Sequence, residues 1–356
     1  MRALHTMRLV RIALLSLFLV LTASAARAQA RAVGQTKAVG AAVGADIPAA
    51  RAPHPVVINA KLHKSFRFVA YGDTRFTDPL NTNAADPDVR RRLVEAIADA
   101  HPDFITFGGD IAYNGDNPND WKVYDEETSI WRKLRIPVYP ALGNHDLHGD
   151  LKASLGNYFA RFPRLEGNRF YSVRVGRSVM LTLDSALDET SGPQGEWLEN
   201  QLRHVPAKAD FVFIVLHHPP YTSSSDEKTF GGGHSARTPE QKLATLLEDA
   251  QTRLRARIVV FSGHVHNYER HEHGGVTYFV TGGGGAHAYP ITRATDDPFR
   301  SEEVNYHFLL VEVRDHSLKA TMNRLEVKDG AAKWTKPDSV TIESGQASSR
   351  RPPSQR

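Results

Sequence analysis

The sequence predicts a layered α/β protein, and three observations carry that expectation. Strand-like and helix-like segments alternate from Phe66 to Ala250, the pattern of sheets flanked by helices. Phe211 to Leu216 is wholly apolar and β-rich, as a strand buried on both faces should be. Near the end only β segments remain, with Tyr306–Val313 and Leu318–Leu325 placed to pair across Arg314-Asp315-His316-Ser317.

In chain order, Phe66 to Tyr71 reads as the first strand. Asp88 to Ala100 follows as a helix, with Val89, Leu93, Val94 and Ile97 at helical spacing. Asp103 to Phe107 is strand-like, Asn119 to Leu134 helical, and Pro137-Val138-Tyr139 a short strand. Arg169–Val175 and Val179–Leu183 are further strands, before a helix from Pro193 to Leu202. A helix is expected over Thr238 to Ala250, with Thr238 as N-cap, Pro239 at its first position and Glu240 in the first turn. Ile258 to Phe261 and Thr277 to Val280 complete the strands. No internal repeat is present.

The ends read differently. Arg8 and Arg11, an apolar run from Ile12 to Ala23 and the small-residue site Ala26-Arg27-Ala28 have the order of a secretory signal peptide. That run is too short to span a bilayer as a helix. Residues 1–28 are therefore expected to be cleaved, leaving no transmembrane anchor, with an uncleaved anchor as the minor alternative. Residues 29–60 read as a mobile leader, 61–343 as the folded domain and 344–356 as a disordered tail. Periplasmic or secreted localisation follows.

Charge and cysteine exclude several classes. The net charge of +4 over 356 residues belongs to the ends, since 1–28 holds four arginines and no acid. The folded part carries a slight acid excess, so no nucleic-acid partner is expected. With no cysteine, a thiol nucleophile, a thiolate zinc site and a lipoprotein anchor are all excluded. Oligomeric state is not legible.

Five scattered segments carry the chemistry: Gly72-Asp73-Thr74-Arg75, Gly109-Asp110-Ile111-Ala112-Tyr113, Gly143-Asn144-His145-Asp146, Leu216-His217-His218-Pro219 and Gly263-His264-Val265-His266. Each follows a strand, mostly with a glycine at the turn. In open α/β sheets such positions share one edge, outside the carboxyl ends of the strands. There they offer Asp, Asp, Tyr, Asn and His donors, enough for two metal ions, and a two-metal site suits in-line phosphoryl displacement. A hydrolase of phosphate esters is expected. On an extended stretch His264 and His266 point the same way and serve neighbouring metals. His217 and His218 then face opposite ways and compete for one ligand role.

These segments resemble those of the calcineurin-like metallophosphoesterase superfamily, and more narrowly the purple acid phosphatases, over Phe66 to Arg270. Gly263 through Arg270, Gly-His-Val-His-Asn-Tyr-Glu-Arg, is very close to the plant-type version. The resemblance implies a four-layer α/β/β/α sandwich of two mixed sheets flanked by helices, with a dinuclear centre at the strand ends. It implies Asp73, Tyr113 and His266 on the first metal, Asp110 bridging, and Asn144, His217 and His264 on the second. His145 matches a non-ligand histidine that contacts phosphate and protonates the leaving oxygen. The His-x-Pro-x-Tyr pattern ending at Tyr221 puts the ligand at His217, leaving His218 to substrate. A separate amino-terminal β-domain, as in plant-type enzymes, is not expected ahead of Phe66.

Two positions keep alternatives open. Many relatives place a histidine ligand where this chain has Arg75, and a guanidinium has no lone pair to offer. Arg75 either clamps a substrate phosphate or forms an ion pair. Tyr113 is either the replacement ligand, favouring Fe(III) beside a divalent Zn, Fe or Mn ion, or a packing residue. The favoured activity is hydrolysis of phosphate monoesters by a metal-bound hydroxide. A phosphodiesterase for nucleotides or phospholipid headgroups and a non-catalytic exported binding protein are the alternatives.

Overall fold

The computed structural model describes residues 56–60, 62, 64–225, 234–301 and 303–345. The expected signal peptide, most of the leader, residues 226–233 and 346–356 lie outside the described residues.

Two mixed sheets form the middle of the fold. One runs in the order β1 (Val57–Ala60), β5 (Tyr171–Val175), β6 (Ser178–Thr182), β7 (Phe211–Val215), β8 (Arg257–Ser262), β10 (Val276–Thr281) and β9 (Tyr268–His273). The other runs β13 (Ala331–Thr335), β12 (Ser317–Lys328), β11 (Tyr306–Arg314), β2 (Phe66–Tyr71), β3 (Phe104–Phe107) and β4 (Val138–Pro140), with β14 (Ser339–Glu343) also on β12. The strands that lead into the donor segments run parallel to one another: β2, β3 and β4 in one sheet, β7 and β8 in the other.

Aromatic side chains fill the space between the sheets. The Phe68 ring lies 5.2 Å from that of Phe213 and 5.6 Å from that of Phe261, joining β2 to β7 and β8. Such pairs stabilise by burial and by ring geometry. Helices cover both outer faces. Helix α1 (Pro87–Asp99) starts on Asp86, whose carboxylate accepts from the N–H groups of Asp88 and Val89, and packs against β11 and β12. On the other face, α5 (Gly192–Arg203) and α6 (Thr238–Arg253) bury Trp197, Leu198, Leu243 and Leu247 against Val212, Ile214, Ile258 and Val260. The result is the four-layer α/β/β/α sandwich.

Several boundaries differ from expectation, each for a local reason. The helix expected over 119–134 is two, α2 (Pro118–Glu127) and α3 (Ser129–Lys133). It breaks at Thr128, whose hydroxyl donates back to Tyr124 O at 2.5 Å, a bond that competes with the helical ladder. The leader ends earlier than 60, because Val57–Ala60 adds parallel to β5. The tail starts later than 344, because Ser344 is buried and its N–H donates to His316 O at 2.7 Å. The N-cap of α6 is Arg237, not Thr238, and it makes no side-chain cap bond. Its guanidinium turns to Glu240, which is fully buried rather than displayed on the first turn.

Candidate metal centre

All five donor segments leave the carboxyl ends of strands, three from one sheet and two from the other, and their turns touch. The N–H of Asp73 donates to Gly109 O at 3.0 Å, that of Arg75 to Asp110 O at 3.0 Å and that of Gly263 to His217 O at 3.0 Å. Asp73, Asp110 and His264 have φ of 58°, 54° and 68°, a left-handed backbone that costs energy for a side-chain-bearing residue. The sandwich holds them there because the turns are too close for anything else. A Cβ on Gly263 would lie 2.4 Å from Asp73 Oδ2 and 2.6 Å from Gly108 O, and one on Gly143 2.4 Å from Asp110 Oδ1. Gly282 is equally confined, 2.8 Å from Asp73 Oδ2 by the same measure, so the glycine run after β10 backs directly onto the site.

The side chains gather in two adjoining groups, and within each the donor atoms lie within 4.8 Å of one another. Asp73, Asp110 and His266 form one; His217, His218 and His264 form the other. Asn144 joins the second through Oδ1, 2.9 Å from His217 Nε2, and Asp110 reaches it through Oδ1, 3.4 Å from the same nitrogen. All except Asn144 are buried.

Hydrogen bonds decide what these imidazoles can do. His217 Nδ1 lies 2.7 Å from Gly108 O and His266 Nδ1 lies 2.9 Å from His287 O. A carbonyl only accepts, so each proton sits on Nδ1 and leaves an Nε2 lone pair. Burial, with Arg75 nearby, lowers the pKa of both rings, so they stay neutral. The lone pair of His217 then faces Asn144 Oδ1 and Asp110 Oδ1, which are acceptors too. That of His266 has no hydrogen-bond partner among the described residues and lies 3.6 Å from Asp73 Oδ1. Lone pairs converging on buried oxygens suit a cation between them. Backbone carbonyls orienting metal-binding histidines from behind are the usual outer support of such sites. The donor set, oxygen and nitrogen with no sulfur, fits two hard or borderline ions.

The carboxylates agree. Burial and the neighbouring Asp110 push Asp73 well above its ordinary range. Burial alone would raise Asp110, but the Arg75 guanidinium and the His145 backbone N–H on Oδ1 work against it, and the group lies well below its ordinary range. Two buried carboxylates repel, and cations bound between them relieve both.

The remaining expected residues fall around this pair of groups. Arg75 places Nε and Nη2 3.4 and 3.2 Å from Asp110 Oδ2, an ion pair on that carboxylate. His145 donates its backbone N–H to Asp110 Oδ1 at 2.8 Å and carries Nε2 to 4.0 Å from Oδ2. Burial, with Arg75 and His148 adding to it, lowers the His145 ring to about 4. Tyr113 stacks its ring 5.4 Å from that of His145 and accepts from His145 Nδ1 at 2.7 Å through its carbonyl. No hydrogen bond joins its hydroxyl to Asp73, Asp110 or His266 among the described residues.

Two expectations from strand alternation are corrected. β7 ends at Val215, so the bend at 217–218 brings both rings to one side, and His218 lies 4.3 Å from His264. The segment 263–266 is likewise not extended, since Val265 N–H turns back to Gly263 O at 2.8 Å. His264 and His266 reach different groups because the chain turns between them.

Other residues of the site lacked a signal of their own. Asp146 is buried and accepts from the N–H groups of Ile111, Ala112 and Gly143 at 2.9, 3.0 and 2.9 Å, clamping the Asp110 turn to the Asn144 turn. Its presence beside Asn144 and His145 was the only hint. His234 brings its ring 4.9 Å from His264 and 5.7 Å from His266, which no motif foretold.

A sandwich that gathers two such groups at its strand ends is that of a metal-dependent phosphoester hydrolase. Comparison with known proteins places it further. The model of the calcineurin-like phosphoesterase family matches residues 66–268, more than half of the chain, and the protein belongs to that family. A probable glycerophosphodiester phosphodiesterase, GpdQ of Arcobacter nitrofigilis, is 33% identical over 126 residues, covering 33% of this chain and 42% of its own. Purple acid phosphatase 21 of Arabidopsis thaliana is 29% identical over 190 residues, covering 50% and 41%. The chain thus spans less than half the length of these relatives. Purple acid phosphatase PPD1 from yellow lupin seeds shares the fold at a TM-score of 0.58 and 19% identity, over 82% of this chain and 55% of that one. The family uses a dinuclear metal site, and the two donor groups are its counterpart here.

Proposed function

We propose that the protein is an exported phosphatase that hydrolyses small phosphate monoesters at a dinuclear metal site. The observation that carries this reading is the pair of neutral imidazoles, His217 and His266, whose Nε2 lone pairs face the buried oxygens of Asp110, Asn144 and Asp73. Asp73, Asp110 and His266 would hold one ion, and Asp110, Asn144, His217 and His264 the other. Tyr113, whose ring stacks on His145, would add a phenolate oxygen that favours Fe(III) in the first group, with Zn, Fe or Mn as the divalent partner. Two ions held there would supply positive charge for the phosphoryl oxygens and lower the pKa of a water.

The protein's own residues complete the chemistry. Asp110 keeps both half-sites at one spacing. His145 faces the same space through Nε2 and passes a proton to the leaving oxygen. A bound phosphate brings negative charge beside that ring and favours the protonated form the step requires. His218 adds a contact to the substrate. Export rests on the arginines, apolar run and Ala26-Arg27-Ala28 site of residues 1–28. Among the described residues no helix is long and apolar enough to cross a membrane. Neither the charge balance nor the site calls for a nucleic-acid partner.

Phosphodiester hydrolysis is the second reading, favoured by the 33% identity to the Arcobacter nitrofigilis phosphodiesterase. Assays on a phosphate monoester and on a diester, with metal analysis and a visible spectrum, test both. Monoester turnover with two ions per chain and a charge-transfer band supports the first reading. Turnover of the diester alone selects the second, and absence of both activities from metal-replete protein rejects the two together.

A further inference from the structure

We propose that Arg75 is a movable counter-cation that competes with the first metal ion for Asp110 and, once displaced, grips the substrate phosphate. The inference rests on the two-metal reading above and deepens it.

The geometry of the guanidinium is that of an exchangeable partner. Nε and Nη2 both approach the single oxygen Oδ2, at 3.4 and 3.2 Å, rather than forking across the two carboxylate oxygens at shorter range. Oδ1 is otherwise engaged, accepting from His145 N–H at 2.8 Å and facing His217 Nε2 at 3.4 Å. Oδ2 is therefore the oxygen left to face the first metal group, and the guanidinium on it places a positive charge where that ion would bind. Their like charges repel at that range in a buried setting.

The backbone stays while the side chain turns. Arg75 N–H is bonded to Asp110 O at 3.0 Å, and Arg75 O accepts from Arg90 Nη1 at 3.2 Å. Arg90 is itself fixed on Glu127, 2.7 and 2.8 Å from its two oxygens. The side chain beyond this anchor is 16% exposed, so part of it already meets solvent. What arrives there next is a phosphate ester, and a planar guanidinium matches two phosphate oxygens at once. The exchange moves no proton: one cation leaves a carboxylate and takes a substrate anion.

The test uses chelator-stripped full-length protein, titrated by calorimetry first with Zn²⁺ and then, once loaded, with inorganic phosphate. Arg75→Met should bind its weaker zinc at least tenfold tighter than wild type and phosphate at least tenfold more weakly. Arg75→Gln, neutral but still able to bond Oδ2, should move both constants the same way and serves if Arg75→Met does not fold. Unchanged or weaker zinc binding in the folded variant overturns the competition, and unchanged phosphate binding overturns the grip. Wild-type protein that takes up fewer than two zinc ions would instead sink the two-metal reading and the inference with it.

Discussion

The two halves of the centre differ in what they offer a metal. Asp73, Asp110 and His266 form an oxygen-rich, anionic half with a guanidinium already on it. His217, His218 and His264, with Asn144, form a nitrogen-rich, neutral half. Hard, highly charged ions seek the first and borderline divalent ions the second. The difference teaches that one carboxylate does two jobs. Asp110 lies in its own half through Oδ2 and reaches the other through Oδ1, 3.4 Å from His217 Nε2.

The largest expected effect follows from that shared role. Asp110→Ala should remove both ions from the chain and lower turnover about 10³-fold or more, since the whole two-metal contribution goes. Metal analysis of the purified variant, beside a phosphate monoester assay, checks it. Retention of two ions would break the comparison at its centre. His266→Ala and His217→Ala then sharpen it, each expected to lose about one ion. The ion kept by His266→Ala should be divalent and colourless, whereas His217→Ala should keep any charge-transfer band. Loss of the same ion from both variants would mean that the halves are not separate sites.

His145 lies outside both halves, so its replacement should separate metal binding from chemistry. His145→Ala should keep two ions yet slow turnover about 10²-fold, most for poor leaving groups. Stopped-flow or steady-state rates on an alkyl and an aryl phosphate, with metal content measured alongside, decide it. The glycines beneath the halves test the scaffold instead. Gly263→Ala would set a Cβ 2.4 Å from Asp73 Oδ2, and thermal melting should show a loss of about 2–3 kcal/mol. Its first consequence should be loss of the oxygen-rich half's ion.

How far this was legible in the sequence depended on whether local pattern or long-range contact set each feature. Apolar strands such as Phe211–Val215 declare themselves, because burial on both faces writes an uninterrupted apolar run. β9 does not, since Tyr-Glu-Arg-His-Glu-His has no alternation to read. Its buried Glu269 is satisfied instead by Thr222 Oγ1 and Ser223 N–H, both at 2.6 Å, and Arg270 by Asp338 at 2.8 Å. Those partners are distant in sequence. The donor segments were found because glycine, acid and histidine recur at strand ends. The side on which His218 falls depended on a bend that strand alternation cannot anticipate. Arg75 was open between an ion pair and a phosphate clamp, and its place on Asp110 is set by the folded turns, not by any local pattern.

The smallest expected effect lies behind the neutral half and tests whether its surroundings are neutral too. His218 Nδ1 lies 2.8 Å from Ser185 Oγ, and Ser185 O accepts from Arg237 Nη2 at 2.6 Å. Arg237 pairs in turn with Glu240, beside the buried Glu189. Burial, and then repulsion from Glu240, push Glu189 up from 4.5 to about 9. The folded chain thus holds a proton that the unfolded chain releases above its ordinary carboxylate range. The unfolded state binds fewer protons in that window, so stability falls as pH rises from 4.5 to about 9. Glu189→Gln, neutral at every pH, should flatten that slope and gain about 2 kcal/mol towards its alkaline end. Melting curves of both proteins across the window measure it. Parallel slopes would show that Glu189 is ionised in the fold, and that the nitrogen-rich half has a charge behind it after all.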